Sequence, residues 1–145
     1  MVEITEASGM HNGALTEQKL DNWLNDLCRQ YNKELAEVNI VLLNDEDLLK
    51  KNIEILDHDT YTDIITQDYV VDDLIIGDLF ISIDRIIENA EKHKVSFSNE
   101  LHRVIAHGVL HLIGYKDKSE EEALVMSEQE AKALELYSNL FHVEL

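Results

Sequence analysis

Residues 107–117 read HGVLHLIGYKD: two histidines four positions apart in an otherwise apolar stretch, then a glycine, a tyrosine and an acid. On an α-helix, positions four apart share one face and lie about 6 Å apart along the axis, so the His107 and His111 imidazoles can converge on one ion. Two ligands make a weak site, and a third has to come from elsewhere. Asp117 is placed to supply it, because Gly114 suits the end of a helix and lets the chain turn back toward the pair. Two nitrogens at about 2.0–2.1 Å and a carboxylate oxygen at a similar distance leave a fourth position for water, the arrangement of a catalytic zinc site. His107, His111 and Asp117 are the candidate metal ligands, with zinc the expected ion and other divalent metals open. A competing reading makes the histidines hydrogen-bonded boundary residues and Asp117 a turn residue, since a spacing of four recurs in any helix. Gly108 favours the metal: a mid-helix glycine costs about 1 kcal/mol relative to alanine, which implies a close approach to the backbone beside His107. Metalloprotease chemistry of the HExxH type needs a glutamate where Gly108 stands, so H-G-x-x-H points to different chemistry.

The elements that must position these residues follow from periodicity and caps. Val2–Ala7 reads as a strand, followed by the turn-like SGMHNG. Thr16 then caps a helix whose Leu20, Leu24, Leu27, Cys28 and Tyr31 recur at the three-and-four spacing of one buried face. EVNIVLL is β-branched and alternating enough for a strand, Asn44 or Asp45 caps a short helix through Leu56, and TDIIT is a further strand. GDLFISI is the clearest strand, with Asp84 capping a helix through about Lys94. Ser98 opens the next helix, which buries Leu101, Val104, Ile105, Val109 and Leu112 and stops at Gly114. Ser119 and Glu122 form a capping box for a last long helix whose Ala, Leu and Met positions pack inward. No proline, repeat, low-complexity tract or Gly/Ser linker interrupts the chain, so residues 1–145 are expected to form one domain. The expected class is α+β, a mixed sheet of about four strands covered by about five helices.

The chain has 145 residues, of which 45% are hydrophobic, enough for a real core without disulfides. Its one cysteine, Cys28, has no partner and reads as a buried thiol in a reducing compartment. The opening MVEITEASGM has no basic lead or apolar core, and no apolar run approaches the roughly 20 residues that span a bilayer. A soluble, cytoplasmic protein without a membrane partner is the expectation. Thirty acids against twelve lysines and arginines give a net charge of -18, which repels nucleic acid over most of the surface. Residues 85–118 are the exception, with Arg85, Lys92, Lys94, Arg103, Lys116 and Lys118 against four acids. The histidine pair sits in the one stretch where a polyanion is tolerated, although scattered solvated charges would give the same count.

HGVLHLIGYKD resembles the signature H-G-x-L-H-L-x-G-Y-D-H of the YbeY family of bacterial rRNA maturation factors, metal-dependent endoribonucleases specific for single strands. DHDTYTDIIT at 57–66 is similar to that family's K-D-x-P-T-D-V-L-S block, and GDLFIS at 77–82 to its G-D-I-x-I-S block. Three ordered blocks are far more specific than the histidine pair alone. The resemblance implies an α+β fold, one zinc or similar divalent ion, and work on the 3′ end of small-subunit rRNA and in ribosome quality control. It places His107 and His111 on the family's first two ligands, and Asp117 where the third is normally histidine. Exchanging a neutral nitrogen for an anionic oxygen lowers the charge of the site and makes manganese more plausible, with zinc still first. The family usually carries an arginine in a Y-R-x-K-D stretch that contacts phosphate; here Leu56 holds that position. Arg85 or His58 are the candidates to replace it.

The leading expectation is hydrolysis of an RNA phosphodiester with rRNA and the small ribosomal subunit as partners, reached directly or through a basic ribosomal protein. No general base is identifiable, so no catalytic residue is assigned beyond the ligands. The alternatives are a metal-binding ribosome assembly factor that cuts nothing, a hydrolase of small molecules or peptides, and a fold without an ion.

Overall fold

The computed structural model describes residues 1–6, 13–57 and 62–145. Within them the chain runs β1 (Val2–Glu6), α1 (Glu17–Gln30), β2 (Glu34–Leu43), α2 (Asp45–Leu56), β3 (Ile64–Asp68), β4 (Leu74–Ser82), α3 (Ile83–His93), α4 (Phe97–Ile113) and α5 (Glu120–Phe141). The sheet order is β1-β2-β4-β3, with β1, β2 and β4 parallel and β3 antiparallel to β4. This is the mixed α+β sheet that the alternation in EVNIVLL and GDLFISI predicts, although β2 and β4 each begin three residues earlier than those segments.

Side-chain alternation sets which face is buried. Val38, Ile40 and Leu42 of β2 and Ile75, Leu79 and Ile81 of β4 point into one core, where they meet Leu20, Leu24 and Leu27 of α1, Leu101, Ile105 and Val109 of α4, and Ala133 and Tyr137 of α5. Trp23, fully buried on α1, donates its Nε1–H to the Ala133 carbonyl at 2.8 Å and so ties the first helix to the last. Among the described residues, the opposite face of the sheet holds a small cluster, Leu48 of α2 against Ile65 and Phe80. Cys28 lies in the main core, and burial pushes its thiol up to about 12, which makes it inert.

The caps agree with the sequence at Thr16, at Asn44 and at the Ser119–Glu122 box, and differ at two helices. Ser82, not Asp84, caps α3, because the Asp84 carboxylate reaches across to accept the Asp45 N–H at 2.8 Å. Ser96, not Ser98, caps α4; the Ser98 carbonyl and hydroxyl instead face His102 Nδ1 at 2.7 and 3.3 Å. On α5 the inward stripe is Met126, Glu130, Ala133 and Tyr137, whereas Leu124 is exposed. The strand β1 holds through Glu6, and Ala7 together with most of the SGMHNG turn lies outside the described residues.

Two glycines let α4 lie close on the sheet. A Cβ on Gly108 would stand 2.7 Å from Leu79 Cδ2 and 2.9 Å from Ile64 Cδ1, so the close approach implied by a mid-helix glycine is that of β4 and β3. A Cβ on Gly77 would stand 2.7 Å from Leu112 Cδ1 and 2.8 Å from the Gln67 carbonyl oxygen, a backbone atom that cannot rotate away. Replacing Gly77 with alanine is therefore expected to cost about 1–3 kcal/mol through overpacking, read as a lower urea midpoint at unchanged slope. An unchanged midpoint would contradict the tight seating of α4.

Candidate metal centre

His107 and His111 project from one face of α4 with their rings near perpendicular, 78° between planes and 4.6 Å between centroids. Their Nε2 atoms stand 3.1 Å apart. Gly114 ends the helix at φ 127°, a region open to glycine, and its N–H bonds back to the Leu110 and His111 carbonyls at 3.1 Å. The chain then turns, steadied by Tyr115 packed edge-on against Tyr31 at 5.5 Å, and the capping box starts α5 only five residues after Gly114. That short, pinned connection returns Asp117 Oδ2 to 3.3 Å from His107 Nε2 and 3.5 Å from His111 Nε2.

A tetrahedral ion with bonds of about 2.0–2.1 Å has ligands about 3.3–3.4 Å apart. The three donor atoms stand at that spacing, and two imidazole nitrogens with one carboxylate oxygen form a donor set suited to zinc and acceptable to manganese. Among the described residues this is the cluster of histidines, cysteines and acids whose donor atoms converge closely enough to hold an ion. The sequence-predicted ligands are thus brought together, all three of them.

Behind the ligands lies a feature the sequence reading missed. His107 Nδ1 is 2.6 Å from Glu130 Oε2 of α5, and Glu130 is only 5% exposed. Arg103, one turn before His107, donates from Nη1 to Glu130 Oε1 at 3.0 Å and clasps both oxygens of Glu100, 1% exposed, at 2.9 and 2.7 Å. The Glu100 hydrogen bonds, with the charges of both glutamates, raise the Arg103 pKa far above its ordinary value against the cost of burial. A signal was present in the sequence: Glu130 falls on the stripe of Met126, Ala133 and Tyr137, and an acid at buried spacing needs a partner.

Burial pulls the His107 pKa down, but the Glu130 hydrogen bond and the charges of Glu130, Asp117 and Asp63 outweigh it, and the net shift is upward from 6.5. The two histidines and Asp117 open onto a cleft of about 610 Å³ also lined by Ile64, Thr66 and Asp68 of β3 and by Asp63, Leu56 and Lys118. Leu56 thus puts an apolar side chain at the cleft. Arg85 does not line it; its guanidinium is forked onto Asp45 at 2.9–3.2 Å and pairs with Glu88 at 3.3 Å, and the Arg85 hydrogen bonds, with the Ser82 hydroxyl and the Arg85 charge, hold the Asp45 carboxyl below its ordinary range. His58, the other candidate to replace the arginine, lies outside the described residues. Among the described residues, the cation that lines the cleft is Lys118, next to Asp117.

A four-stranded mixed sheet carrying an HxxxH helix and a carboxylate on the following turn defines a small α+β protein in which three donor atoms that could hold an ion converge. The chain belongs to the YbeY family: the family model described as Endoribonuclease YbeY matches residues 5–138. Relatives named Endoribonuclease YbeY include one from Flavobacterium johnsoniae, 44% identical over 88% of this chain and 89% of its own length. Another, from Bacteroides thetaiotaomicron, is 42% identical over 89% of this chain and 94% of its own. A third, from Porphyromonas gingivalis, is 40% identical over 96% of this chain and 92% of its own. The fold is shared with a solution structure of a Thermotoga maritima protein at a TM-score of 0.70 and 24% identity, covering 98% of this chain and 92% of that one.

Because His107 holds its second proton more tightly than a free imidazole, an ion entering at Nε2 must displace that proton. Zinc affinity is expected to be full above the raised pKa and to weaken as pH falls through it, approaching tenfold per pH unit. Competition against a chromophoric chelator across neutral and mildly acidic pH measures this, and an affinity independent of pH there would contradict it.

Proposed function

We propose that the chain is an endoribonuclease that hydrolyses single-stranded RNA with one divalent ion, zinc first, held by His107, His111 and Asp117. The observation that carries this reading is the convergence of three donor atoms, 3.1 to 3.5 Å apart, on an open cleft in a chain of this family. A divalent ion in that position supplies positive charge and Lewis acidity toward a phosphodiester.

The chain's own residues account for the rest. His107 and His111 offer neutral nitrogens from a rigid helix, and Asp117 offers the anionic oxygen that tempers the charge of the ion. Lys118 brings an ammonium to the cleft for a phosphate, while Leu56 and Ile64 give base faces an apolar wall. Among the described residues, three acids, Asp63, Asp68 and Asp117, outnumber that lysine along the cleft, and the whole chain carries -18. Free RNA is repelled by such a surface at low salt, so the substrate we propose is rRNA presented on the small ribosomal subunit, with a basic ribosomal protein bridging the charge. The proposed setting is the cytoplasm, in maturation of the 3′ end of small-subunit rRNA and in ribosome quality control. Among the described residues no helix is long and apolar enough to cross a membrane.

One observation favours a second reading, a metal-binding assembly factor that cuts nothing: Leu56 stands where the family arginine is expected, and Arg85 is committed to Asp45. The two readings separate in one assay on a single-stranded rRNA fragment. Replacing His111 with alanine is expected to remove the ion and lower cleavage at least about 100-fold, some 3 kcal/mol of transition-state stabilisation. Full activity in that variant would reject the nuclease mechanism. Wild-type protein that cleaves nothing with any divalent ion, yet co-sediments with small subunits, would establish the second reading.

A further inference from the structure

We infer that Glu130 is a positioning residue for the metal centre: held by Arg103 and Glu100, it fixes the tautomer and rotation of His107 so that the bare Nε2 faces the cleft. This rests on the proposed metal function for its purpose, though not for its geometry.

An ionised carboxylate only accepts hydrogen bonds. With Glu130 Oε2 at 2.6 Å, His107 Nδ1 must be the donor, so the ring proton sits on Nδ1 and the lone pair on Nε2, the atom that faces His111 and Asp117. The ring can neither flip nor swing without breaking that bond. Glu130 is itself immobilised, since its other oxygen receives the Arg103 Nη1 proton at 3.0 Å. Arg103 cannot follow a displaced Glu130, because two of its other N–H groups are clasped by Glu100, which is buried in the first turn of the same helix.

Two buried carboxylates enclose one guanidinium; His93 Nδ1 stands 3.9 Å from Glu100, so with His93 neutral one negative charge is in surplus, and the carboxylate not already doubly engaged with Arg103 is the one against His107. A buried anion without a counter-charge is strongly disfavoured. Positive charge on the far side of the His107 ring supplies the missing partner, relayed through a ring made more basic by the Nδ1 bond. Merely pairing Arg103 would not need Glu130, since Glu100 already accepts from it twice. The C-terminal helix is on this account a working part of the centre.

The test compares zinc affinity of the wild type with Glu130→Gln and Glu130→Ala, together with ring-nitrogen NMR spectra of the metal-free proteins in the alkaline range where imidazoles are neutral. The wild type should show His107 as the Nδ1–H tautomer. Glu130→Ala should shift it toward Nε2–H and weaken zinc about 10- to 100-fold, the usual cost of losing such a partner. Glu130→Gln, neutral and with one acceptor oxygen left for two donors, His107 Nδ1–H and Arg103 Nη1–H, should also weaken zinc, by no more than Glu130→Ala. Wild-type affinity in both variants, or an Nε2–H tautomer in the wild type, would overturn the inference. The wild-type spectrum decides orientation even if Glu130→Ala does not fold. Wild type that binds no zinc but holds the Nδ1–H tautomer would sink the metal reading while upholding the orientation of His107.

Discussion

Three donor atoms from two elements must stay within 3.1 to 3.5 Å of one another if they are to hold one ion. Everything else in this structure serves that constraint. Two of the atoms come from a helix, whose geometry fixes their separation. The third comes from a turn, whose geometry does not, so it has to be pinned at both ends. Gly114 ends α4 at a φ that few other residues tolerate, and the Ser119–Glu122 box starts α5. Between them the chain has too few residues to carry Asp117 elsewhere.

The frame behind the helix is equally specific. The side of α4 that bears Gly108, Val109 and Leu112 lies on β4 and β3, close enough that the sheet fills the place of a Cβ at 108. The side that bears Arg103 and His107 turns to α5 and meets Glu130. One helix thus takes its distance from the sheet and its electrostatic setting from the last helix. Trp23 and the Ala133 carbonyl close the arrangement by fixing α1 to α5 one turn beyond Glu130.

How much of this was legible in the sequence depended on the range of the interaction. His107, His111 and Asp117 were readable because helical spacing and a terminating glycine are local facts, and the strands were readable from alternation. The caps at Ser82 and Ser96 were misplaced by two residues because serine and aspartate cluster there, and tertiary bonds from Asp84 and Ser98 decide which side chain is left to cap. Gly108 signalled a close approach without revealing that the approaching atoms were Leu79 and Ile64. Glu130 was hidden for a different reason: 23 residues separate it from His107, and only the packing of α5 on α4 brings them together. An acid on a buried stripe was the one local trace it left.

The acidic surface and the centre are compatible once the cleft is seen as a place of charge balance. A divalent ion held there would offset the negative charge of Asp117 and the Glu130 network, which the apolar wall at Leu56 cannot do. The most direct measurement is anomalous scattering at the zinc edge from crystals grown with that ion. The account predicts one strong peak about 2.0–2.2 Å from His107 Nε2, His111 Nε2 and an Asp117 oxygen. A peak elsewhere, or an ion bound with Asp117 turned away, would contradict it.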